Sequence, residues 1–129
     1  MEVGESREDY LEAAYVLKKR KGYVRNSILS EYMGYSKASV SIAMRGLREQ
    51  GYVVRDAAGY IELTEKGEKI AKGVYARHLL LRELLEKIGV SDEAADRDAC
   101  RMEHVISEES YRKIQQLVEK IREEKQLNK

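Results

Sequence analysis

Cys100, Glu103 and His104 stand at i, i+3 and i+4 in a segment of helical periodicity, so all three side chains project to one side. Thiolate, carboxylate and imidazole together form the usual donor set for a divalent transition metal. Asp9 and Glu12 make a second pair, three residues apart and hence on one face of another helical segment. Taken singly, paired carboxylates are commonly a solvated face, and a lone histidine is commonly structural. Packed together, Asp9, Glu12, Glu103 and an ionised Cys100 would crowd negative charge into a small volume, a conflict that a divalent cation removes. Such a cation would tie the first helix to those far along the chain.

A second chemistry lies in the charge distribution. The 129 residues hold 24 Lys and Arg against 23 Asp and Glu, so the net charge of +1 argues neither for nor against nucleic acid. Residues 13–55, however, carry nine basic and two acidic side chains, between acidic flanks. Within this segment Ser36, Lys37, Ser39 and Ser41 cluster at the start of a helical stretch, with Ala38 able to touch a thymine methyl. Short or long polar side chains of this kind suit a major groove about 12 Å wide. Arg45 and Arg48 further along are better placed for phosphates, as are Arg25 and Arg55. Each serine or lysine alone is as readily an ordinary solvated residue; as a set on one helix start they favour DNA. Ile42 is an awkward neighbour: exposed, it would read only methyl groups, and the alternative is that it faces the preceding helix.

Elements that could position these residues follow from periodicity. Ser6 is expected to cap a first helix carrying Tyr10, Leu11, Ala14, Tyr15, Val16 and Leu17, closed by Lys18–Lys21 and stopped by Gly22. A short helix from Asn26 to Gly34 follows, then a third capped by Ser36, with Val40, Ala43, Met44 and Leu47 at helical spacing and Gly51 at its end. Residues 52–55 and 60–63 read as a β-hairpin around the turn Asp56-Ala57-Ala58-Gly59. Thr64 opens a long helix to about Ile88; Ser91 caps the next, to about Ile106; Ser107 begins the last, with the tail from Glu123 expected to fray. The fold class is therefore mostly α. A winged helix-turn-helix of three helices and a hairpin wing occupies residues 1–64, and an all-helical dimerisation and metal-binding domain occupies residues 65–129. Short helices with a hairpin occur in other small α+β folds; the basic segment favours the winged helix.

Several classes are excluded. One cysteine makes no internal disulfide, the first ten residues lack the apolar core of a signal peptide, and no apolar run approaches a membrane span. A cytoplasmic protein without a membrane partner is expected.

On these residues the sequence resembles the metal-dependent repressors of the diphtheria toxin repressor and manganese transport regulator type. The matching stretches are Glu8–Glu12, Ser36–Ser41, Glu62-Leu63-Thr64, Arg77-His78 and Asp98–Val105. The resemblance implies a metal-activated repressor in two-domain form, without the SH3-like domain that some members add. It implies the ligands Asp9, Glu12, His78, Glu103 and His104 of the manganese-type members. At position 100 those members usually have Glu, whereas Cys100 follows the iron type; the chain is a hybrid. The iron-type ancillary site uses the equivalents of His78 and positions 82 and 96, here Arg82 and Asp96, so that site is expected to be altered or absent. Ala38 stands where members often have Pro. The oxygen donors suit Mn²⁺ or Fe²⁺ and the thiolate favours softer ions, so Mn²⁺ or Fe²⁺ is expected, with Zn²⁺ or Co²⁺ able to bind in vitro.

The expected mechanism is a homodimer, its interface built from Leu79-Leu80-Leu81, Leu84-Leu85 and the fifth helix, presenting two recognition helices to an imperfect palindrome in double-stranded DNA. No organic cofactor is expected. One rival is a metal-independent winged-helix regulator sensing an organic ligand. Another is a metalloenzyme, against which stand the absence of HExxH, of a nucleophile elbow and of a Gly-rich phosphate loop.

Overall fold

The computed structural model describes residues 5–127 and divides after Gly73 into two compact units. The first contains α1 (Glu5–Lys21), α2 (Asn26–Met33), α3 (Lys37–Glu49), β1 (Val53–Arg55), β2 (Ile61–Leu63) and the opening turns of α4 (Glu65–Lys87). The remainder of α4, with α5 (Asp92–Val105) and α6 (Glu108–Leu127), makes the second. Three helices followed by a two-stranded hairpin are the winged helix-turn-helix order.

In the first unit α1 packs on α2, α3 and β2, and α3 packs on α2 and β1. Leu11, Leu17, Val24, Leu29, Val40, Met44, Leu47, Val53 and Ile61 build one core, joined by Ala71 from α4. Local chemistry fixes the boundaries. The Ser36 hydroxyl caps α3 by accepting from the Ser39 amide, and Gly34, in the left-handed region at φ 72°, closes α2 so that the chain can turn into α3. The strands pair antiparallel in the register Val53↔Leu63, Val54↔Glu62 and Arg55↔Ile61. Asp56 fixes the wing tip, its carboxylate accepting from the amides of Ala58 and Tyr60 at 3.0 and 2.9 Å. Thr64 links hairpin to helix: its hydroxyl donates to the Gly51 carbonyl at 2.7 Å and accepts from the Gly67 amide at 3.1 Å.

The second unit buries Val74, Leu80, Leu81, Ala95, Ala99 and Val118. Arg77 of α4 secures the α5–α6 junction, donating to the Ile106 carbonyl at 3.1 Å and to the Glu108 carboxylate at 2.8 Å. Arg122 of α6 forks onto Glu83 of α4, and the paired guanidinium holds that carboxyl below its ordinary range. No helix among the described residues is long and apolar enough to cross a membrane.

Three expectations are corrected and one open alternative is decided. Helix α1 is already formed at Glu5, so Ser6 lies within its first turn rather than capping it. Of the two readings of Ile42 the exposed one holds, at 68% exposure, because the buried positions Val40, Met44 and Leu47 lie on the opposite side of α3. Residues 123–127, expected to fray, continue α6, being mostly strong helix formers; Asn128 and Lys129 lie outside the described residues, as do Met1–Gly4 of the N-terminal stretch. Leu80 and Leu81 are buried within the chain, which removes them from any partner-facing surface; Leu79 of the same run is exposed.

Candidate metal centre and nucleic-acid interface

In the second unit α4 and α5 bring together most of the residues singled out for ligand chemistry. Glu103 is the buried charged residue of the described chain, 1% exposed, on the inner face of α5 with Ala95 and Ala99. One of its carboxylate oxygens lies 3.1 Å from His78 Nδ1, and the other 3.3 Å from His104 Nε2. Neither oxygen accepts a hydrogen bond from any group among the described residues. The Cys100 sulfur, one turn earlier on α5, lies within 4.8 Å of the same carboxylate. A buried carboxylate lacking hydrogen-bond donors is costly by several kcal/mol, yet here two imidazole nitrogens approach it out of donor alignment. Nitrogen, oxygen and sulfur atoms converging on one buried carboxylate fit a shared divalent transition cation.

His78 has a further neighbour. Its Nε2 lies 2.9 Å from Asp96 Oδ1, and Asp96 in turn pairs with the Arg82 guanidinium at 3.5 Å. The three positions of the expected ancillary site thus carry an internal cation, Arg82, bound to the carboxylate. Spacing along α5 predicts the convergence of Cys100, Glu103 and His104. The approach of Asp96 to His78 joins residues eighteen positions apart on two successive helices and has no signature in local spacing.

In the first unit Asp9 and Glu12 occupy one half-buried face of α1. The DNA candidates sort by their surroundings. Lys37, Ser39 and Arg45 are exposed on α3, Arg48 and Ser41 are half-buried, and the Ser36 hydroxyl is engaged in the cap and donates to Ser39 Oγ at 2.9 Å. Arg55 is exposed at the end of β1. Arg25, in the loop before α2, lies over the ring of Tyr60 on the wing, 4.2 Å from its centroid, and Tyr23 meets the same ring edge-on. Sequence reasoning missed Tyr60, Tyr23, Tyr32 and Tyr35 as part of this surface. The last two are exposed beside the α2–α3 turn, and aromatic residues clustered within a basic segment were the available signal.

A winged helix and a nitrogen, oxygen and sulfur donor cluster define a metal-responsive DNA-binding protein. The N-terminal DNA-binding domain of the iron-dependent repressors matches residues 2–61, and the metal-binding and dimerisation domain of the same repressors matches residues 64–129. The chain belongs to the iron-dependent repressor family. It is 36% identical over 118 residues to the HTH-type transcriptional regulator MntR of Lysinibacillus sphaericus, covering 92% of this chain and 85% of the relative. It is 35% identical to the regulator of that name in Bacillus subtilis, covering 92% and 84%. Among solved structures it is similar to the manganese regulator SloR (TM-score 0.78, 25% identity, 92% of this chain and 55% of that one). It is also similar to a manganese-dependent transcriptional repressor in complex with manganese (TM-score 0.77, 28% identity, 84% and 50%). The chain thus spans about half the length of these structurally similar chains.

Proposed function

We propose that the chain is a metal-activated transcriptional repressor of manganese or iron homeostasis, working in the cytoplasm as a homodimer on a double-stranded, imperfectly palindromic operator. The observation that carries this reading is the buried Glu103 carboxylate, flanked by the nitrogens of His78 and His104 and supplied with no hydrogen-bond donor among the described residues.

His78, Cys100, Glu103 and His104 hold the divalent ion from the second unit, and Asp9 and Glu12 complete the ligand set from α1. When bound, the ion supplies positive charge that lets several acidic side chains coexist, together with directional bonds that fix their orientation. The chain's own residues do the rest. Asp9 and Glu12 belong to the first helix of the DNA-binding unit, so engaging them restricts the orientations of that unit. Fewer orientations then have to be frozen when the operator binds. Lys37, Ser39 and Ser41 on α3 read base edges, with Ser36 at the helix start, while Arg45, Arg48, Arg25 and Arg55 hold phosphates. The oxygen donors suit Mn²⁺ or Fe²⁺, while the Cys100 thiolate favours softer ions.

The test is operator binding followed by fluorescence anisotropy while Mn²⁺, Fe²⁺ and Zn²⁺ are titrated separately under reducing conditions. Glu103→Ala is expected to retain its helical circular dichroism and its dimer but lose metal-dependent binding. A variant that still responded to metal would refute the site.

A further inference from the structure

Asp96 is exposed, lies outside the proposed ligand set, and nevertheless makes the hydrogen bond that governs one of those ligands. A carboxylate at neutral pH can only accept, so the 2.9 Å contact to His78 requires the proton on Nε2. In the neutral ring the other nitrogen, Nδ1, then carries a lone pair, and it lies 3.1 Å from Glu103 Oε2. Two acceptors so close together favour a cation shared between them. The side chain of Asp96 is itself fixed: Arg82, one helical turn beyond His78 on α4, pairs with it at 3.5 Å and is braced by Glu86 at 3.6 Å. On α5, Asp96, Cys100 and Glu103 stand at i, i+4 and i+7, so one stripe of that helix presents both the ligands and the carboxylate behind them.

We infer that Asp96, anchored by Arg82, is a positioning residue. It selects the His78 tautomer with the proton on Nε2 and turns Nδ1 toward the metal before any metal arrives. The inference rests on the proposed metal centre. Its physical basis is general: an acceptor behind a histidine ligand fixes both ring orientation and tautomer, and its loss commonly weakens metal binding by about 10–100-fold. Arg82 serves as a tethered cation in this arrangement. It neutralises Asp96 so that the carboxylate can stand near Glu103 without adding uncompensated negative charge to the centre.

The chain has two histidines, so its ring nitrogens are few enough to assign individually. Long-range proton–nitrogen spectra of the full metal-free chain, at a pH where the rings are neutral, should show His78 protonated on Nε2. In Asp96→Ala the same ring should shift to a mixture of tautomers or to the Nδ1-protonated form, and calorimetric Mn²⁺ affinity should fall by about 10–100-fold. Asp96→Asn keeps a carbonyl acceptor and is expected to restore the tautomer and most of the affinity. An Asp96→Ala protein with an unchanged His78 spectrum and Mn²⁺ affinity within about twofold of wild type, well short of the usual second-sphere loss, overturns the inference. A wild-type chain that bound no Mn²⁺, Fe²⁺ or Zn²⁺ would instead sink the metal centre, while the metal-free spectra would still decide whether Asp96 sets the tautomer.

Discussion

Arg25 reaches the wing from outside it. Its guanidinium lies over Tyr60, 4.2 Å from the ring centroid, which holds a long cationic side chain in place. A phosphate contact made this way carries no sequence information. Arg25→Ala is therefore expected to weaken matched and mismatched DNA by a similar factor, and to lower the slope of log affinity against log salt by about one. Anisotropy titrations at several salt concentrations check both; a loss confined to the matched operator would make Arg25 a base reader. At this scale the sequence was partly legible. Cys100, Glu103 and His104 could be placed on one face by counting, and Ser36 could be recognised as a cap. The approach of Asp96 to His78 could not, since it depends on how two successive helices pack against each other. Ile42 stayed ambiguous because an exposed isoleucine is unusual, although it falls opposite the phase of Val40, Met44 and Leu47.

Helix α4 starts under a tight constraint. A Cβ at Gly67 would sit 2.0 Å from the carbonyl oxygen of Tyr52, the same oxygen that accepts from the Thr64 amide at 3.0 Å. Backbone opposes it, so no side-chain rotation relieves the clash. Gly67→Ala is expected to destabilise the chain by at least about 1–3 kcal/mol, the usual cost of overpacking. Urea unfolding measures this, and a variant as stable as wild type would mean that α4 can move away from the hairpin at little cost. The elements themselves were the most legible level of all. Gly22, Gly34, Gly51 and Gly89 all take positive φ at helix ends, and the apolar spacing between them sets each helix. What failed was the first and last turn. Ser6 looked like a cap and the polar tail looked unstructured, because a run of charged helix formers such as Glu123–Lys125 carries no apolar stripe to advertise a helix.

For the whole molecule, metal binding and operator binding are linked quantities. If metal raises operator affinity by a given factor, the operator must raise metal affinity by the same factor, and allosteric couplings typically lie at about 5–150-fold. Calorimetric Mn²⁺ titrations with and without operator should return the factor that anisotropy gives from the other side. Unequal factors would show that the two events are not coupled through a single equilibrium. The stacking of Arg25 on Tyr60 has a final consequence for anyone recombining relatives of this family. The hairpin tip borrows its guanidinium from a loop some thirty-five positions upstream. A chimera that exchanges residues 53–63 alone would carry away the aromatic ring and strand the positive group, so the wing and the loop before α2 have to be transplanted as a pair.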